Sequence, residues 1–377
     1  ERFKTTRRTT ETVAEYQKYT RDQRDATKDV GGYVLGHLKT GRRLKTNVAC
    51  RSGITLDADH LSQGFLDSLV VSYRCAIYST HSHTPEAPRL RMVIPLTRDV
   101  TPDEYAALSR LVAEEIGMDF FDDSTYEVNR MMFWPSAPSD GEYVFKVIEG
   151  DDLDPDVYLA KLSDWRDCSL WPTSSRQSAV VQRDIRQQQD PLAKDGVVGA
   201  FCRAYPIEDV IETFLSDVYE PSAVEGRYDY IPADSSAGVV LYEGKWAYSH
   251  HATDPACGML LNAFDLVRVH KFPDLDEKAG FKAMSKFAIS LDKVKIQIAQ
   301  ERKDEASVDF ATEGKDWRTL LKYQPKSRLL ENSVWNEMLI LNNDPDFTNF
   351  AFNELANRVQ VTGDMPWERP NDNSFWR

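Results

Sequence analysis

The sequence has few cysteines for its length, and no two of them are close together. It contains five in 377 residues, without any Cys-x-x-Cys pair: Cys50, Cys75, Cys168, Cys202 and Cys257. This spacing predicts neither a disulfide framework nor a four-cysteine zinc site. We therefore expect no bound zinc, and a reducing compartment, the cytoplasm.

Long apolar runs and phosphate-binding glycine loops are also missing. No stretch approaches the roughly 18 apolar residues needed to cross a bilayer, so we expect no membrane partner. No secretory leader is visible. No Gly-x4-Gly-Lys-Ser/Thr sequence occurs, so we expect that this chain does not itself hydrolyse ATP. The composition, with 41% hydrophobic and 28% charged residues, is otherwise typical of globular proteins.

Positive charge is in deficit overall, but not at the beginning of the chain. The formal net charge of -14 argues against a nucleic-acid coat protein, because phosphate binding requires positive charge. Residues 1–51, however, hold thirteen basic and six acidic residues, a net charge of +7. Within this segment, four basic side chains lie just before an acidic pair: Arg42, Arg43, Lys45 and Arg51. They are candidates for binding nucleic-acid phosphates, and an ordinary solvated face is the alternative.

Composition divides the chain into five segments. Mixed strand and helix patterns over residues 1–163 predict an α+β module. Residues 164–195 are rich in Ser, Gln, Arg and Asp and are predicted to be a linker. Residues 196–300 contain an amphipathic helix and then a hairpin pattern, which predict a mainly helical accessory module with a small β-hairpin. A second polar linker at 301–325 precedes the start of a further domain at 326–377.

The first chemically suggestive motif is an Asp-x-Asp pair at the end of a predicted strand. In Gly53–Asp59, Ile54 and Leu56 would face the core, while Asp57 and Asp59 share the opposite face. Carboxylates at i and i+2 can bridge divalent metal ions, and Mg²⁺ prefers such oxygen ligands. A solvated surface turn is the alternative.

The second motif combines histidines with arginines. On an extended chain Ser79, His81 and His83 point the same way, and Arg89 and Arg91 share a face of the next strand. Guanidinium and imidazole groups facing a carboxylate pair suit a triphosphate. A zinc site or two structural histidines are the alternatives at this stage.

A third acidic element follows between Phe120 and Pro135. It contains Asp122 and Asp123 and, shortly afterwards, Arg130. Acidic loop residues are usually solvated, but here they follow an acidic pair and a histidine strand. That order is the informative feature.

The order of these motifs resembles the archaeo-eukaryotic primase superfamily, the primase-polymerases, over residues 28–163. The superfamily pattern is a strand ending in Asp-x-Asp, a small-x-His strand, and a hydrophobic-Asp element. The corresponding residues are Leu56–Asp59, Ser79–His81 and Phe121–Asp123. The wider context of the second and third motifs resembles the phage and prophage replication branch.

The resemblance implies an RRM-like catalytic domain that carries out two-metal nucleotidyl transfer. It implies that Asp57, Asp59 and Asp123 bind Mg²⁺ or Mn²⁺, although Asp122 competes with Asp123. It also implies that His81, or the duplicated His83, contacts the phosphates of a nucleoside triphosphate. Four further residues complete the expected nucleotide-binding set: Ser79, Arg89, Arg91 and Arg130. The implied partners are a single-stranded DNA template, a primer, and ribo- or deoxyribonucleoside triphosphates.

The rest of the chain carries two further resemblances. Residues 196–272 resemble the module that follows the primase domain in prophage replication proteins, which implies a template-binding or priming accessory role, with a purely structural role as the alternative. Its His250, His251 and Cys257 fit no standard zinc spacing. Residues 339–367 resemble the region just before the ATPase in the virulence-associated protein E family. The expected context is therefore a longer primase-helicase whose helicase ATPase domain is a partner.

Two rival functions use the same residues differently. In a rolling-circle initiator endonuclease, His81 and His83 would bind one metal ion and Tyr126 or another tyrosine would attack DNA. That class prefers an apolar residue where Ser82 stands, and it has no need of the Asp-x-Asp pair. A non-catalytic origin-binding subunit is the second rival. The sequence favours a DNA primase-polymerase over both.

Overall fold

Strands and helices are mixed along the chain, so the fold is α+β, as the sequence predicts. A computed structural model describes residues 1–310, 316–324, 329–347, 350–353 and 358–361. Their contacts divide the chain into two units, Glu1–Val294 and Lys295–Arg377. Within the described ranges, no helix has both the length and the apolar character needed to span a membrane.

The secondary-structure elements are numbered in chain order. The strands are β1 (Arg7–Arg8), β2 (Gly32–Tyr33), β3 (Gly36–Leu38), β4 (Val48–Ala58), β5 (Cys75–Ser79), β6 (Leu90–Val100), β7 (Met132–Phe133), β8 (Ser136–Ala137), β9 (Phe145–Ile148), β10 (Tyr219–Pro221), β11 (Arg227–Tyr230), β12 (Val239–Tyr242), β13 (Trp246–Ser249), β14 (Leu260–Asn262), β15 (Phe350–Asn353) and β16 (Arg358–Val361). The helices are α1 (Val13–Tyr16), α2 (Arg21–Lys28), α3 (Phe65–Ser68), α4 (Pro102–Ile116), α5 (Pro155–Leu159), α6 (Ser175–Gln187), α7 (Gly196–Ala204), α8 (Ile207–Phe214), α9 (Ala263–Lys271), α10 (Glu277–Ser290), α11 (Asp292–Phe310) and α12 (Val334–Asn343).

The first unit contains a five-stranded antiparallel sheet in the order β3-β4-β6-β5-β9. Ile54, Leu56 and Ala58 alternate along β4 and are fully buried in one core with residues of α4. The predicted alternation is confirmed, although β4 begins at Val48 rather than at Gly53. Burial of one face of this strand fixes which side chains point to the other face.

Helix α4 packs against β4 and has the predicted N-terminal capping box. The Thr101 hydroxyl accepts from the Glu104 N–H, and the Glu104 carboxylate accepts from the Thr101 N–H. Pro102 lies in the first turn, where its missing N–H is harmless. The helix ends at Ile116 and is followed by Gly117, whose φ of 126° favours glycine.

A second five-stranded antiparallel sheet, in the order β10-β11-β12-β13-β14, lies further along the first unit. The predicted hairpin is confirmed as its β12–β13 pair, with Glu243 and Gly244 at positive φ in the turn. The sequence predicts only this hairpin in a mainly helical module. The neighbouring strands β10, β11 and β14 are three or four residues long, too short for a readable alternation.

The predicted linker at 164–195 contains helix α6 and several buried side chains. The Ser174 hydroxyl accepts from the Gln177 N–H at the start of α6, and Arg110 of α4 donates to the Gln177 side chain at 3.0 Å. Trp171, just before the helix, is 5% exposed. A polar composition does not prevent ordering here, because hydrogen bonds satisfy the buried polar groups. The predicted domain limits stay predictions.

The predicted second linker and third domain lie partly outside the described residues. The linker at 301–325 begins within α11, and residues 311–315 are not described. Of the predicted third domain, α12 and the antiparallel pair β15–β16 are described. The end of the segment that carries the virulence-associated protein E resemblance, Met365–Trp367, lies outside the described residues.

One end of the first sheet brings the sequence motifs together. Asp57 near the end of β4 is the register partner of Arg91 near the start of β6. Ser79, the last residue of β5, pairs with Leu90 of β6. The Asp-x-Asp motif and the two parts of the histidine-arginine motif therefore meet at the same sheet edge.

Candidate active site

An open cavity of about 630 Å³ lies at this end of the first sheet. We call it the sheet-edge cavity. Seven of the predicted metal- and nucleotide-binding residues line it: Asp57, Asp59, Ser79, His81, Arg89, Arg91 and Arg130. Arg43 of the predicted DNA-binding set lines it as well. Its volume lies within the usual range of ligand sites, about 300–1,000 Å³.

The deepest charged pair in the cavity joins Asp57 and Arg91. Arg91 donates through Nη2 to both carboxylate oxygens of Asp57, at 3.1 and 3.2 Å, and through Nη1 to the Phe133 carbonyl at 2.9 Å. Each of the two charged residues is 7% exposed. Removal of one partner from such a buried pair typically destabilises a protein by about 3–5 kcal/mol, because the other charge is left uncompensated.

Asp59 carries a charge that its surroundings compensate only in part. Burial raises its pKa, and the negative charges of Asp57 and Asp122 raise it further, against the opposing effect of Arg89. Arg89 Nη1 lies 3.2 Å from the Asp59 carboxylate. A bound cation would relieve this excess of negative charge.

The structure separates the two candidates for the third carboxylate. The Asp122 N–H donates to the Asp57 carbonyl at 2.9 Å, which ties Asp122 to the end of β4. Arg130 Nη2 lies 3.9 Å from its carboxylate. Both residues line a second cavity of about 320 Å³, in which Asp123 Oδ1 is buried without a hydrogen-bond partner, and neither residue is in the lining of the sheet-edge cavity. The hydrogen bond to Asp57 and the effect of the Asp122 charge on the pKa of Asp59 therefore favour Asp122 as the companion of the Asp-x-Asp pair.

These carboxylates fit a divalent cation in chemistry, but they do not form a preassembled cluster. Asp57, Asp59 and Asp122 offer the oxygen ligands that Mg²⁺ and Mn²⁺ prefer. The raised pKa of Asp59, which is caused first by burial and then by the Asp57 charge, shows that the surrounding groups do not fully stabilise its ionised form. Within the described residues, however, these three do not bring their ligand atoms within 4.8 Å of one another. Asp57 and Asp59 are directed toward arginines instead.

His81 is buried, and both of its ring nitrogens are occupied. Nε2 lies 2.9 Å from the Glu11 carboxylate and Nδ1 lies 2.9 Å from the Ser136 hydroxyl. The Tyr16 ring packs against the imidazole with a centroid distance of 4.6 Å. Burial lowers the pKa of His81, although Glu11 acts in the opposite direction. In this arrangement the imidazole is positioned by protein groups rather than free to contact phosphate.

His83 lies beside the sheet-edge cavity rather than in its lining. Its Nδ1 accepts from the Arg89 N–H at 3.1 Å. It lines a smaller cavity of about 180 Å³ together with His81 and Arg89. Burial lowers the pKa of His83 as well. The duplicated histidines therefore have different surroundings, and of the two only His81 lines the larger cavity.

The predicted DNA-binding residues divide into three exposed or half-buried side chains and one core residue. Arg42 is exposed, and exposed Arg43 donates to the Asn129 carbonyl at 2.8 Å. Lys45 is half-buried and donates to the Cys257 carbonyl at 2.6 Å. Arg51 is fully buried, so the prediction that it binds DNA is wrong.

Arg51 is held inside the protein by a set of polar and aromatic contacts. It donates to the Leu35 and Val128 carbonyls, each at 2.7 Å. Its guanidinium also lies 4.0 Å from the centroid of the Tyr105 ring. An arginine beside other basic residues in the sequence looks exposed, but the strand is irregular between Arg51 and Gly53, and this side chain lies fully buried.

The sequence motifs do not identify several residues of the site. Arg21 and Lys28 of α2 line the sheet-edge cavity, and Glu11 binds His81. The available signal was local: Thr12 and Thr20 each begin a capping box, which marks two short helices in the basic segment. That signal predicts helices but not their position over the cavity.

Tyr126, the tyrosine considered as a nucleophile, lies outside the sheet-edge cavity. It is 3% exposed and lines the second cavity, and its hydroxyl has no hydrogen-bond partner. Burial raises its pKa, and nearby Arg110 opposes this effect. A buried phenol with a raised pKa is a poor nucleophile at neutral pH.

Comparison with known proteins gives one similarity, which covers just under half of the chain. No curated protein matches the chain, and no solved structure matches it. The matched residues end at Ser174, the residue that caps α6, and they include every residue of the sheet-edge cavity. Residues 1–174 match the family model of the VapE N-terminal domain.

Proposed function

We propose that the chain is a replication protein of a phage or mobile element, and that its sheet-edge cavity catalyses nucleotidyl transfer as a primase-polymerase. The match of residues 1–174 to the VapE N-terminal domain supports the replication context. The observation that carries the catalytic proposal is the convergence of Asp57 and Asp59 with Arg89, Arg91 and Arg130 in one open cavity. The proposed substrates are nucleoside triphosphates on a single-stranded DNA template, with or without a primer.

The ion pairs in the cavity suggest how a metal-bound nucleotide is accommodated. Asp59 and Arg89 are paired with each other and only half-buried. A complex of a divalent cation with triphosphate offers a cation to the carboxylate and an anion to the guanidinium. Both charges then keep a partner when the substrate enters, so the exchange avoids an uncompensated buried charge.

In this proposal Asp57, Asp59 and Asp122 hold Mg²⁺ or Mn²⁺. Bound there, the ion would lower the pKa of a 3′-hydroxyl and stabilise the negative charge that develops on pyrophosphate. Arg89 and Arg130 hold the triphosphate in line with that hydroxyl. Arg91 acts on Asp57, which it keeps in place. His81, held by Glu11 and Ser136, shapes the wall beside Ser79.

The proposed path for the template begins at the exposed end of the cavity. Arg42 and Arg43 lie in the loop between β3 and β4, and Arg43 also lines the cavity. Arg21 and Lys28 add positive charge from α2. These side chains suit the phosphates of a single strand, whose binding weakens as salt concentration rises. The helicase ATPase domain of a longer protein is a further proposed partner.

The endonuclease rival has less support from the geometry. It needs two histidines free to bind a metal ion and an accessible tyrosine. His81 has both nitrogens occupied, His83 is bonded through Nδ1, and the Tyr126 hydroxyl is buried elsewhere. A non-catalytic binder would have no need for the carboxylates beside the arginines.

The test is an incorporation assay that separates the three functions by product. The full chain is incubated with single-stranded DNA, labelled ribo- or deoxyribonucleotides, and Mg²⁺ or Mn²⁺, with and without an annealed primer. We expect labelled strands whose length depends on the template. A covalent protein–DNA adduct without incorporation would favour the endonuclease, and DNA binding with neither product would favour the binder.

A further inference from the structure

A second group of metal-ligating side chains lies on the same sheet, away from the sheet-edge cavity. It consists of His37 on β3, Cys50 on β4 and Asp99 on β6. One ligand atom from each lies within 4.8 Å of the other two. Among the described residues this is the one group of three or more His, Cys, Asp or Glu side chains that meets this distance.

The three ligands are held by adjacent strands rather than by a loose loop. His37 and Cys50 are direct register partners of the antiparallel pair β3–β4. Val100 is the register partner of buried Arg51, so Asp99 and Cys50, their chain neighbours, share the opposite face. Cross-strand partners on one face have Cβ atoms about 4.5–5.5 Å apart, which suits a shared ion.

The distances are close to those of a tetrahedral zinc site. Zn–S and Zn–N bonds of about 2.0–2.3 Å place tetrahedral ligands roughly 3.4–3.8 Å apart. Cys50 Sγ already lies 3.2 Å from the Asp99 carboxylate, to which the thiol donates. Within the described part of the chain, no hydrogen bond to the His37 imidazole is found, so none has to be broken before the ring can bind an ion.

We propose that His37, Cys50 and Asp99 bind one Zn²⁺ ion, with water as the fourth ligand. The thiol releases its proton to solvent on binding, and the resulting thiolate and the carboxylate balance the charge of the ion. A thiolate and an imidazole select zinc over Mg²⁺, which prefers oxygen ligands. This site is separate from the proposed Mg²⁺ or Mn²⁺ site and does not depend on it. It replaces the expectation of no bound zinc, which was drawn from cysteine spacing alone.

The proposed ion lies at the base of the loop between β3 and β4. The loop between β3 and β4 contains Arg42 and Arg43, and His37 and Cys50 lie on the two strands at its base. An ion that bridges both strands restrains that loop. Zinc binding would therefore order the basic residues proposed to bind template.

The test uses Co²⁺ as a spectroscopic substitute for zinc on the full chain. Cys50 and Cys257 are the two cysteines that are not fully buried, so Cys257→Ser is the matched control. We expect a near-ultraviolet thiolate-to-cobalt charge-transfer band that saturates at one Co²⁺ per chain and disappears when Zn²⁺ is added. The band should be absent from Cys50→Ser and retained in Cys257→Ser. His37→Ala and Asp99→Asn should each weaken binding at least about tenfold.

A second readout follows the loop and does not involve catalysis. We expect Zn²⁺ to slow tryptic cleavage after Arg42 and Arg43 at least about threefold in the unmodified chain, and to have no such effect in Cys50→Ser. Absence of the cobalt band at excess Co²⁺, or a band that persists in Cys50→Ser, would overturn the proposal. Because Asp59→Asn should retain the band, failure of this site and failure of the proposed catalytic site can be told apart.

Discussion

The two five-stranded sheets of the first unit both carry histidines, aspartates and tyrosines, but they use them differently. In the second sheet, the Tyr219 hydroxyl donates to Asp254 at 2.8 Å and lies 2.7 Å from His270 Nε2. Asp254 is fully buried and His270 nearly so. In the first sheet, Asp59 faces an open cavity and its charge is compensated only in part.

Residue type alone therefore does not mark a functional site in this protein. A buried network whose groups satisfy one another contributes to folding and leaves nothing to bind a ligand. An open cavity whose carboxylates and guanidiniums are only partly buried can exchange these ion pairs for contacts with a charged ligand. The sheet-edge cavity has the second property, and the cluster around Tyr219 has the first. Substitutions in the two regions should therefore affect different quantities.

The largest expected effect is on catalysis in the first sheet. Asp59→Asn keeps the size of the side chain but removes the charge proposed to bind the cation. We expect nucleotide incorporation to fall at least about 1,000-fold, because the cation is central to the proposed chemistry. The unfolding midpoint in urea should change little, since Asp59 is only half-buried. Asp67→Asn, an exposed aspartate outside the cavity, is the matched control and should retain full activity.

Substitutions of the adjacent residues Asp122 and Asp123 should lower the incorporation rate to different extents. Asp122→Asn should lower incorporation roughly 100-fold, because Asp122 lies beside Asp59, whereas Asp123→Asn should lower it less than about fivefold. Steady-state incorporation rates for the two variants measure this difference. The opposite order would assign the third metal ligand to Asp123 and would mean that the chain rearranges when substrate binds.

Substitution of a buried and of an exposed arginine should have different effects, the first on stability and the second on DNA binding. Arg51→Ala removes a buried guanidinium together with its hydrogen bonds to the Leu35 and Val128 carbonyls, so the free energy of unfolding should fall by about 2–4 kcal/mol. Arg43→Ala should leave stability within about 0.5 kcal/mol but weaken binding to single-stranded DNA about three- to tenfold and reduce its salt dependence. Urea denaturation and fluorescence anisotropy measure the two effects. An unchanged salt dependence in Arg43→Ala would remove this residue from the template path.

The smallest expected effect is a difference in pH dependence between the sheets. Burial lowers the pKa of His250 to about 3 from the usual 6.5. His250 therefore takes up a proton more readily in the unfolded chain than in the folded chain. As a result, the free energy of unfolding decreases as the pH falls from 6.5 toward 3. Between pH 6.5 and about pH 5, this loss amounts to about 1–2 kcal/mol. Asp59 has the opposite sign, because its raised pKa makes protonation favour the folded state.

His250→Gln tests this difference directly. Urea unfolding of the variant and of the unmodified chain, measured at pH 6.5 and pH 5, should show a smaller loss of stability in the variant. Equal losses would mean that His250 does not titrate as its burial suggests. Incorporation at neutral pH serves as the control and should be unchanged.

The sequence predicts much of the first sheet and its cavity because the relevant signals are local. Strand alternation places Asp57 and Asp59 on one side of β4, and the strand that begins at Leu90 brings Arg91 opposite Asp57. The capping box at Thr101 is equally local. Such signals depend on residues that are close together in the chain, so the folded structure retains the local elements that they predict.

The features that the sequence misses depend on contacts between distant residues. Nothing near Glu11 indicates that it will bind His81, and nothing near His37 indicates that Asp99 will lie beside it. Asp122 and Asp123 differ because one caps a short helical turn and the other begins it. The burial of Arg51 likewise requires knowledge of which face of β4 is covered.

Calorimetric titration of the full chain with a nucleoside triphosphate tests whether the sheet-edge cavity binds a nucleotide in a metal-dependent way. We expect one nucleotide per chain, saturable binding that requires Mg²⁺ or Mn²⁺, and loss of that binding in Asp59→Asn. Tyr219→Phe, which alters the buried network of the second sheet, should bind as the unmodified chain does. No saturable binding, or binding that Asp59→Asn leaves intact, would contradict the assignment of the sheet-edge cavity as the nucleotide site.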